Sequence, residues 1–368
     1  MVADQSRWDS QWSTRQVQDD IRMQDFFSGR QFIAKFYPWW GKGLEAGCGL
    51  GRYVFYFSVL GCDITGVDFS SESVGKARTF ALEHEFSPEM FVLGDIERLQ
   101  FDDNAFSYYI SLGVLEHFYE GPERALREAF RVLAPGGIIL VTTPNKYSLE
   151  VIKGSMKKSI THAIVPLNGP KTSMVSHDAD GSFFQYWYSQ KEMSSFIVDA
   201  GFEVIEKNII DIRFPLFYRS QHSQLAQWLF GKQEFINKLE NSPLKVLGGN
   251  SVIVALKPGE RMHCFFCGLE HSAGSLRKKG INVPTCDGCK HKYDRIVRHF
   301  DGKTPAHYDH RTEKQSEQVC AFCQQEFKPH KLFGDFGFSK AVCSDCVRIP
   351  RVRGELSAAF IKQTWKPY

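Results

Sequence analysis

No stretch of this 368-residue chain approaches the roughly 18 apolar residues that cross a bilayer. The first residues, Met-Val-Ala-Asp-Gln-Ser-Arg-Trp, contain no apolar run of the kind that opens a secretory leader. Together these absences lead us to expect a cytoplasmic protein with reduced thiols. Net charge is also scarce, since 45 Lys and Arg against 42 Asp and Glu leave only +3. Cysteine is nearly missing from the first 260 residues, where only Cys48 and Cys62 of the chain's 10 occur. Both read as small packing residues. What is present is ordinary for a globular chain: 43% apolar and 24% charged residues, with length enough for two or three domains.

One glycine is missing where a familiar pattern would want it. The segment Leu44-Glu45-Ala46-Gly47-Cys48-Gly49-Leu50-Gly51-Arg52 places glycine at alternate positions, which leaves backbone bare for close approach by a ligand. Apolar residues precede it, and the run Arg52 to Phe57 reads as a helix opening, so the context is strand–turn–helix. Asp68 closes the next β-rich run, Asp63 to Val67, where an acid can accept hydrogen bonds from a ribose diol. Such a loop fits NAD as well as S-adenosylmethionine. Counted from Gly47, however, the third glycine of the dinucleotide pattern falls at Arg52.

The order Glu45-x-Gly47-x-Gly49-x-Gly51 resembles the first motif of the class I S-adenosylmethionine-dependent methyltransferases. Gly94-Asp95-Ile96 resembles the family's turn after the third strand, and Ser111-Leu112-Gly113-Val114-Leu115-Glu116-His117 its fourth-strand segment. Leu126-Arg127-Glu128 through Val132-Leu133-Ala134-Pro135-Gly136-Gly137 resembles its helix and turn before a fifth strand, Ile138 to Thr142. The resemblance spans roughly residues 30–260 and is nearest to the small-molecule branch that contains the ubiquinone-biosynthesis enzymes. It implies a doubly wound, Rossmann-like α/β fold with a seven-stranded sheet over residues 1–259. It implies S-adenosylmethionine as cofactor, with Asp95 on the adenine amino group. The remaining cofactor set is Glu45, Gly47, Cys48, Gly49, Gly51, Asp68, Phe69, Ile96 and Leu112. His117, just past the fourth strand, is the candidate catalytic base; a supporting role for Glu116 and His117 is the other reading. The Asn- or Asp-Pro-Pro-Tyr tetrapeptide of many base-amino methyltransferases is absent; Ser111-Leu112-Gly113-Val114 stands in its place.

Local pattern adds further elements. Ser70 to Glu83 reads as a helix capped by Ser70 or Ser71, and Ser189 to Ala200 as another ended by Gly201. Phe91 to Leu93, Phe106 to Leu112, Phe202 to Ile205 and Ser251 to Leu256 read as strands. Trp8 and Trp12 mark an N-terminal segment that is either a lid over the cofactor or a capping helix. Two insertions are expected, at about 146–183 and 213–249. In the first, Leu149, Ile152, Met156, Ile160 and Ile164 share one helical face flanked by Lys153, Lys157 and Lys158. That face suits a lid, a membrane surface or the domain's own core. The second holds Phe214, Leu216, Phe217, Tyr218, Trp228, Leu229 and Phe230, apt for an acceptor wall or for packing. Tyr186, Trp187 and Tyr188 either line the acceptor site or enter a helix as core.

The missing cysteines are all in the tail. Cys264-Phe-Phe-Cys267 with Cys286-Asp-Gly-Cys289, and Cys320-Ala-Phe-Cys323 with Cys343-Ser-Asp-Cys346, repeat the C-x2-C, long spacer, C-x2-C pattern of zinc sites. Two residues between cysteines let one turn present both sulfurs to a tetrahedral metal. We therefore expect two structural zinc ions in ribbon-like modules at 260–305 and 306–368, paired either sequentially or by exchange between the modules. Residues 261–368 hold 19 Lys and Arg against 11 Asp and Glu, so the rest of the chain is net acidic. Four thiolates on each zinc remove about two positive charges per module and leave a weak nucleic-acid footprint. The expected activity is methyl transfer to a small or lipid-like acceptor, with the modules structural or docking a protein partner. The alternatives are a methyltransferase of RNA, DNA or protein, gripped by Phe265, Phe266, Arg277, Lys278, Lys279, Lys290, Lys292, Arg295 and Arg298, and a non-catalytic cofactor-binding scaffold.

Overall fold

The computed structural model describes residues 5–22, 32–33, 36–38, 40–59, 62–149, 151–152, 174–177, 181–211, 242–265, 267–276 and 283–290. It also describes the backbone of 318–319 and 326–327. Helices α1 (Gln5–Ser13) and α2 (Val17–Arg22) come first. Strand β1 (Gly43–Ala46), α3 (Arg52–Val59), β2 (Ile64–Asp68), α4 (Ser71–Glu83), β3 (Phe91–Leu93), β4 (Phe106–Leu112), α5 (Glu123–Val132) and β5 (Leu133–Pro144) follow in alternation. A hairpin of β6 (Met174–His177) and β7 (Phe183–Trp187) precedes α6 (Gln190–Asp199), β8 (Glu203–Ile210) and β9 (Asn250–Leu256).

The central sheet has seven strands in the order β3-β2-β1-β4-β5-β9-β8, parallel except for β9, which runs against both of its neighbours. This is a Rossmann-like α/β fold. Buried on both faces, the parallel strands are largely apolar, with Glu45, Asp68, Ser107 and Ser111 among the exceptions. Side chains alternate between two cores, so Tyr108 and Ile110 face one cluster and Tyr109 the other. The fifth strand is longer than its apolar run suggested. Leu133 pairs with Phe106, the register then jumps to Ile138 opposite Tyr108, and Gly136 at φ 84° absorbs the difference.

Caps set the helix ends. Ser70 accepts from the Ser73 amide and opens α4, whose Val74, Ala77, Phe80 and Ala81 are buried along one face. Ser189 and Glu192 form a reciprocal capping box at α6, and Gly201 at φ 100° follows its end.

Beyond β9 the chain turns through 257–260 into a second hairpin, β10 (Arg261–His263) and β11 (Glu270–Ser272), followed by a short helical turn, α7 (Ala273–Leu276). The boundary expected near residue 259 is a tight turn, not a linker. Met262, Cys264, Phe265, Leu276 and Cys289 belong to the same buried cluster as Tyr108, Ile138 and Leu256. A last hairpin pairs β12 (Gln318–Val319) with β13 (Glu326–Phe327). Of the insertion at 146–183, residues 149 and 151–152 are helical, and its later part is the β6–β7 hairpin. Met156, Ile160 and Ile164 with their lysines lie outside the described residues, as does 212–241 with the aromatic cluster from Phe214 to Phe230.

Candidate functional site

At the carboxyl ends of the parallel strands a cavity of about 660 Å3 opens. The turn after β1 supplies Glu45, Gly47, Cys48 and Gly49 to its wall; Asp68 and Phe69 come from the end of β2. Asp95 and Ile96 follow β3, Leu112 ends β4, and His117 stands just beyond. Ten of the eleven residues expected at the cofactor or acceptor site thus meet in one cavity. Gly51 is the exception. It shapes the turn from behind, where a side chain would strike the Phe91 ring.

The turn is held by acids before any ligand arrives. All three glycines take positive φ: 77° at Gly47, 51° at Gly49 and 82° at Gly51. Asp68 Oδ2 accepts from the Gly49 amide at 2.8 Å and Oδ1 from the Ser70 amide at 2.9 Å. Each oxygen keeps a further lone pair for a diol. Burial raises the Asp68 pKa, opposed by those two amides. Glu45 Oε2 accepts from the Val54 amide at 3.1 Å, so it caps α3 from β1, a role its place in the motif did not reveal. Burial pushes Glu45 up to about 8, with the Arg52 guanidinium pulling the other way. Arg52 in turn lies 3.6 Å from Asp20 of α2. The Cys48 thiol is raised well above its ordinary range, chiefly by burial, which suits packing and not nucleophilic attack.

Helix α1 roofs the cavity with Trp8 and Trp12. A Cβ on Gly49 would lie 2.7 Å from the Trp12 ring, so the glycine permits this closure. Two polar clamps hold the helix. Asp9 accepts from the Ser70 hydroxyl and from the Glu72 amide at the start of α4. Lys76 Nζ donates to the carbonyls of Trp12, Ser13 and Arg15 at 2.9, 2.7 and 3.0 Å, collecting orphan acceptors at the end of α1. Of the two readings of Trp8 and Trp12, the geometry favours the lid.

Opposite the glycine turn the wall becomes aromatic. His117 packs edge-on against Trp8 with centroids 4.8 Å apart, and its ring lies 5.0 Å from Phe184 of β7. His117 Nδ1 donates to the Phe184 carbonyl at 2.9 Å. This bond sets the tautomer, so in the neutral ring Nε2 carries the lone pair. Glu116 Oε1 lies 4.0 Å from that Nε2. Glu116 is 1% exposed, its Oε2 has no hydrogen-bond partner among the described residues, and burial raises it to about 8. Arg7 of α1 donates to the Phe183 carbonyl at 3.0 Å and covers the Phe184 ring.

Sequence reasoning missed Phe184, Arg7 and Lys76. Phe184 precedes the run Tyr186, Trp187 and Tyr188, read as lining the acceptor site or entering a helix; Phe184 to Trp187 belong to strand β7, and α6 begins only at Gln190. Tyr186 and Tyr188 are core, with Tyr186 donating to the Tyr119 carbonyl, and neither lines the cavity.

At the other end of the sheet, Cys264, Cys267, Cys286 and Cys289 bring their sulfurs within 4.8 Å of one another. A tetrahedral zinc with bonds of about 2.3 Å needs sulfur–sulfur edges of about 3.8 Å, and Cys267 and Cys286 are 3.9 Å apart. The donor set and its size therefore fit zinc, and these four cysteines pair sequentially. Cys320, Cys323, Cys343 and Cys346 lie outside the described residues, as do Phe266, Arg277, Lys278, Lys279, Lys292, Arg295 and Arg298. The strands beside Cys320 and Cys323 repeat the first hairpin's spacing: Val319 pairs with Glu326 as His263 pairs with Glu270.

Comparison with known proteins gives the following similarities. Residues 44–141 match the family model of the methyltransferase domain. The malonyl-[acyl-carrier protein] O-methyltransferase of Pectobacterium atrosepticum is 33% identical over 116 residues, covering 31% of this chain and 43% of that one. An S-adenosyl-L-methionine-dependent Diels-Alderase of Talaromyces variabilis is 34% identical over 199 residues, covering 51% and 62%. The demethylmenaquinone methyltransferase of Staphylococcus aureus is 33% identical over 117 residues, covering 30% and 46%. The chain spans less than two thirds of each of these relatives. Over residues 44–141 it is thus similar to methyltransferase domains.

Proposed function

We propose that this chain transfers a methyl group from S-adenosylmethionine to a small or lipid-like acceptor. The observation that carries the reading is a single cavity in which the glycine turn and Asp68 face an aromatic lobe built by Trp8, His117 and Phe184. The donor supplies an already activated methyl group, so the protein's tasks are to orient the acceptor and exclude water. Asp68 takes the ribose diol, and Asp95 the adenine amino group. The bare backbone at Gly47 and Gly49 admits the amino-acid end, with Glu45, Cys48, Phe69, Ile96 and Leu112 closing around it. His117 Nε2 takes the proton when the acceptor is a hydroxyl. The names of relatives that act on malonyl-[acyl-carrier protein] and demethylmenaquinone support an acceptor of this class.

The four-cysteine site is read as a zinc site, and the repeated spacing supports a second at Cys320, Cys323, Cys343 and Cys346. A macromolecular acceptor gains little support. The first cysteine cluster sits by β10 and the start of β5, across the sheet from the cavity, so gripping RNA there would not deliver it to His117.

The test is transfer of labelled methyl to extracted metabolites and lipids, set beside RNA, DNA and protein. One relative is named for a cycloaddition, so the label itself is followed. Label in a small apolar product is the expected result. Label in nucleic acid or protein would replace this reading, and binding of donor without transfer to any class would leave a cofactor-binding scaffold.

A further inference from the structure

We propose that the first cysteine hairpin belongs to the folding unit of the methyltransferase sheet, so that zinc at Cys264, Cys267, Cys286 and Cys289 stabilises the cofactor-binding domain itself. The inference rests on the zinc reading above and is independent of methyl transfer.

The junction has the construction of a domain interior. Cys264 and Phe265 are fully buried in the core that also holds Tyr108 and Ile138. The His263 ring stacks on Trp40 at 4.4 Å, and its Nδ1 donates to the Pro135 carbonyl at 3.1 Å. A Cβ on Gly136 would lie 2.7 Å from the His263 carbonyl oxygen, and one on Gly268 would lie 2.6 Å from Trp40 Cβ. Backbone approaches this close do not occur across a hinged interface. Lys257 exchanges both of its backbone hydrogen bonds with Gly136 and Gly137, so only the turn 258–260 separates the sheet from β10.

Metal energy therefore has a path into the sheet. Four thiols gathered within 4.8 Å have little core of their own to hold them, and in such small units metal binding is folding energy. The backbone that zinc fixes at Cys264 is continuous with His263, which clamps Trp40 and Pro135. Trp40 leads into β1, and Pro135 lies at the start of β5. At its far end β1 leads into Gly47, and β5 pairs with β4, whose last residue, Leu112, lines the cavity.

The experiment uses the full chain, loaded with zinc, stripped by a chelator, and reloaded with zinc or cobalt(II). Backbone hydrogen exchange is read in β1, β4 and β5, and unfolding by calorimetry. We expect stripping to lower one cooperative transition by on the order of 5–10 °C, to raise exchange in those strands, and both to reverse on reloading. Because chelation also reaches any second site, Cys267→Ser and Cys320→Ser are compared. Cys267 is exposed, so its replacement removes a ligand with little loss of packing. Cys267→Ser should reproduce the loss of protection in the sheet, and Cys320→Ser should leave it intact. Unchanged protection in stripped protein would overturn the proposal. A separate small transition that alone responds to zinc would do the same, as would equal effects of the two variants. None of these readouts uses the methyl donor, so failure here is distinct from failure of the methyltransferase reading.

Discussion

The two ends of the central sheet are built on opposite principles. At the cavity end, elements distant in sequence meet through polar contacts: Asp68 to Gly49, Lys76 to the end of α1, His117 to the Phe184 carbonyl. Buried acids stand there with capacity unused, as at Glu116 Oε2. At the cysteine end, segments equally distant in sequence meet through apolar packing and close backbone approach, with His263 on Trp40 and Gly136 under β10. A binding end tolerates unsatisfied polar groups because a ligand completes them, at a cost in stability. The cysteine end also keeps buried polar atoms without a partner among the described residues, Trp40 Nε1 and His271 Nε2, but it closes by packing, and the ligand its thiols fit is a metal.

Substituting one glycine at each end should separate these behaviours. Gly136→Ala demands left-handed backbone and a Cβ against immobile main chain, so we expect a loss of roughly 2–4 kcal/mol in denaturant unfolding. Gly49→Ala also demands left-handed backbone, at φ 51°, but its Cβ meets only the Trp12 ring of a docked helix. It should displace α1 and weaken donor binding while leaving the denaturation midpoint much closer to the parent's. Equal midpoints for the two variants would break the comparison.

Next in size is Asp68→Ala, which removes a candidate ribose acceptor together with the anchor of Gly49. Calorimetric titration should show donor affinity reduced by roughly 1–3 kcal/mol; unchanged affinity would take Asp68 out of the site.

A pH effect is expected from the buried acids near the cavity. Folded Glu116 holds its proton up to about pH 8, whereas the unfolded chain releases it near 4.5. Across that window the folded state binds more protons, so stability falls as pH rises. Glu116→Gln should flatten the slope by up to about 1.4 kcal/mol per pH unit, the most that one proton contributes. Glu45 adds a second contribution of the same sign, so the slope should shrink without vanishing. An unaltered slope would mean that Glu116 is ionised in the folded chain.

The smallest effect is expected for Lys76→Met. Losing three charged hydrogen bonds at the exposed end of α1 should cost about 1 kcal/mol. It should show as faster amide exchange in α1 and weaker donor binding. Unchanged α1 exchange would assign the lid's hold to Asp9 and Trp12 alone.

The two ends also differ in how legible they were. Glycine spacing, Asp68 and the short apolar runs announced the cavity's cofactor side, because backbone that must bend or lie bare restricts which residues can occupy it. Four cysteines in paired spacing announced the metal geometry for the same reason. Phe184 and Lys76 carried no comparable mark. A lysine that caps a helix some sixty residues away looks, in sequence, like any solvated lysine. The tail from residue 260 read as separate modules because composition and charge change there, yet the packing of His263 against Trp40 and Pro135 leaves no trace in composition.

By itself, then, the sequence determined what local chemistry determines: the α/β alternation, the strand–turn–helix at Gly47 to Arg52, and the sulfur donor sets. Each depends on residues within a turn or two of one another, where steric and hydrogen-bond rules act directly. Tertiary structure alone decided that α1 closes over the cavity, that β7 delivers Phe184 to His117, and that the cysteine hairpin shares the sheet's core. Those outcomes depend on contacts between segments far apart in the chain, and a contact of that kind is selected by the shape and burial of both partners together.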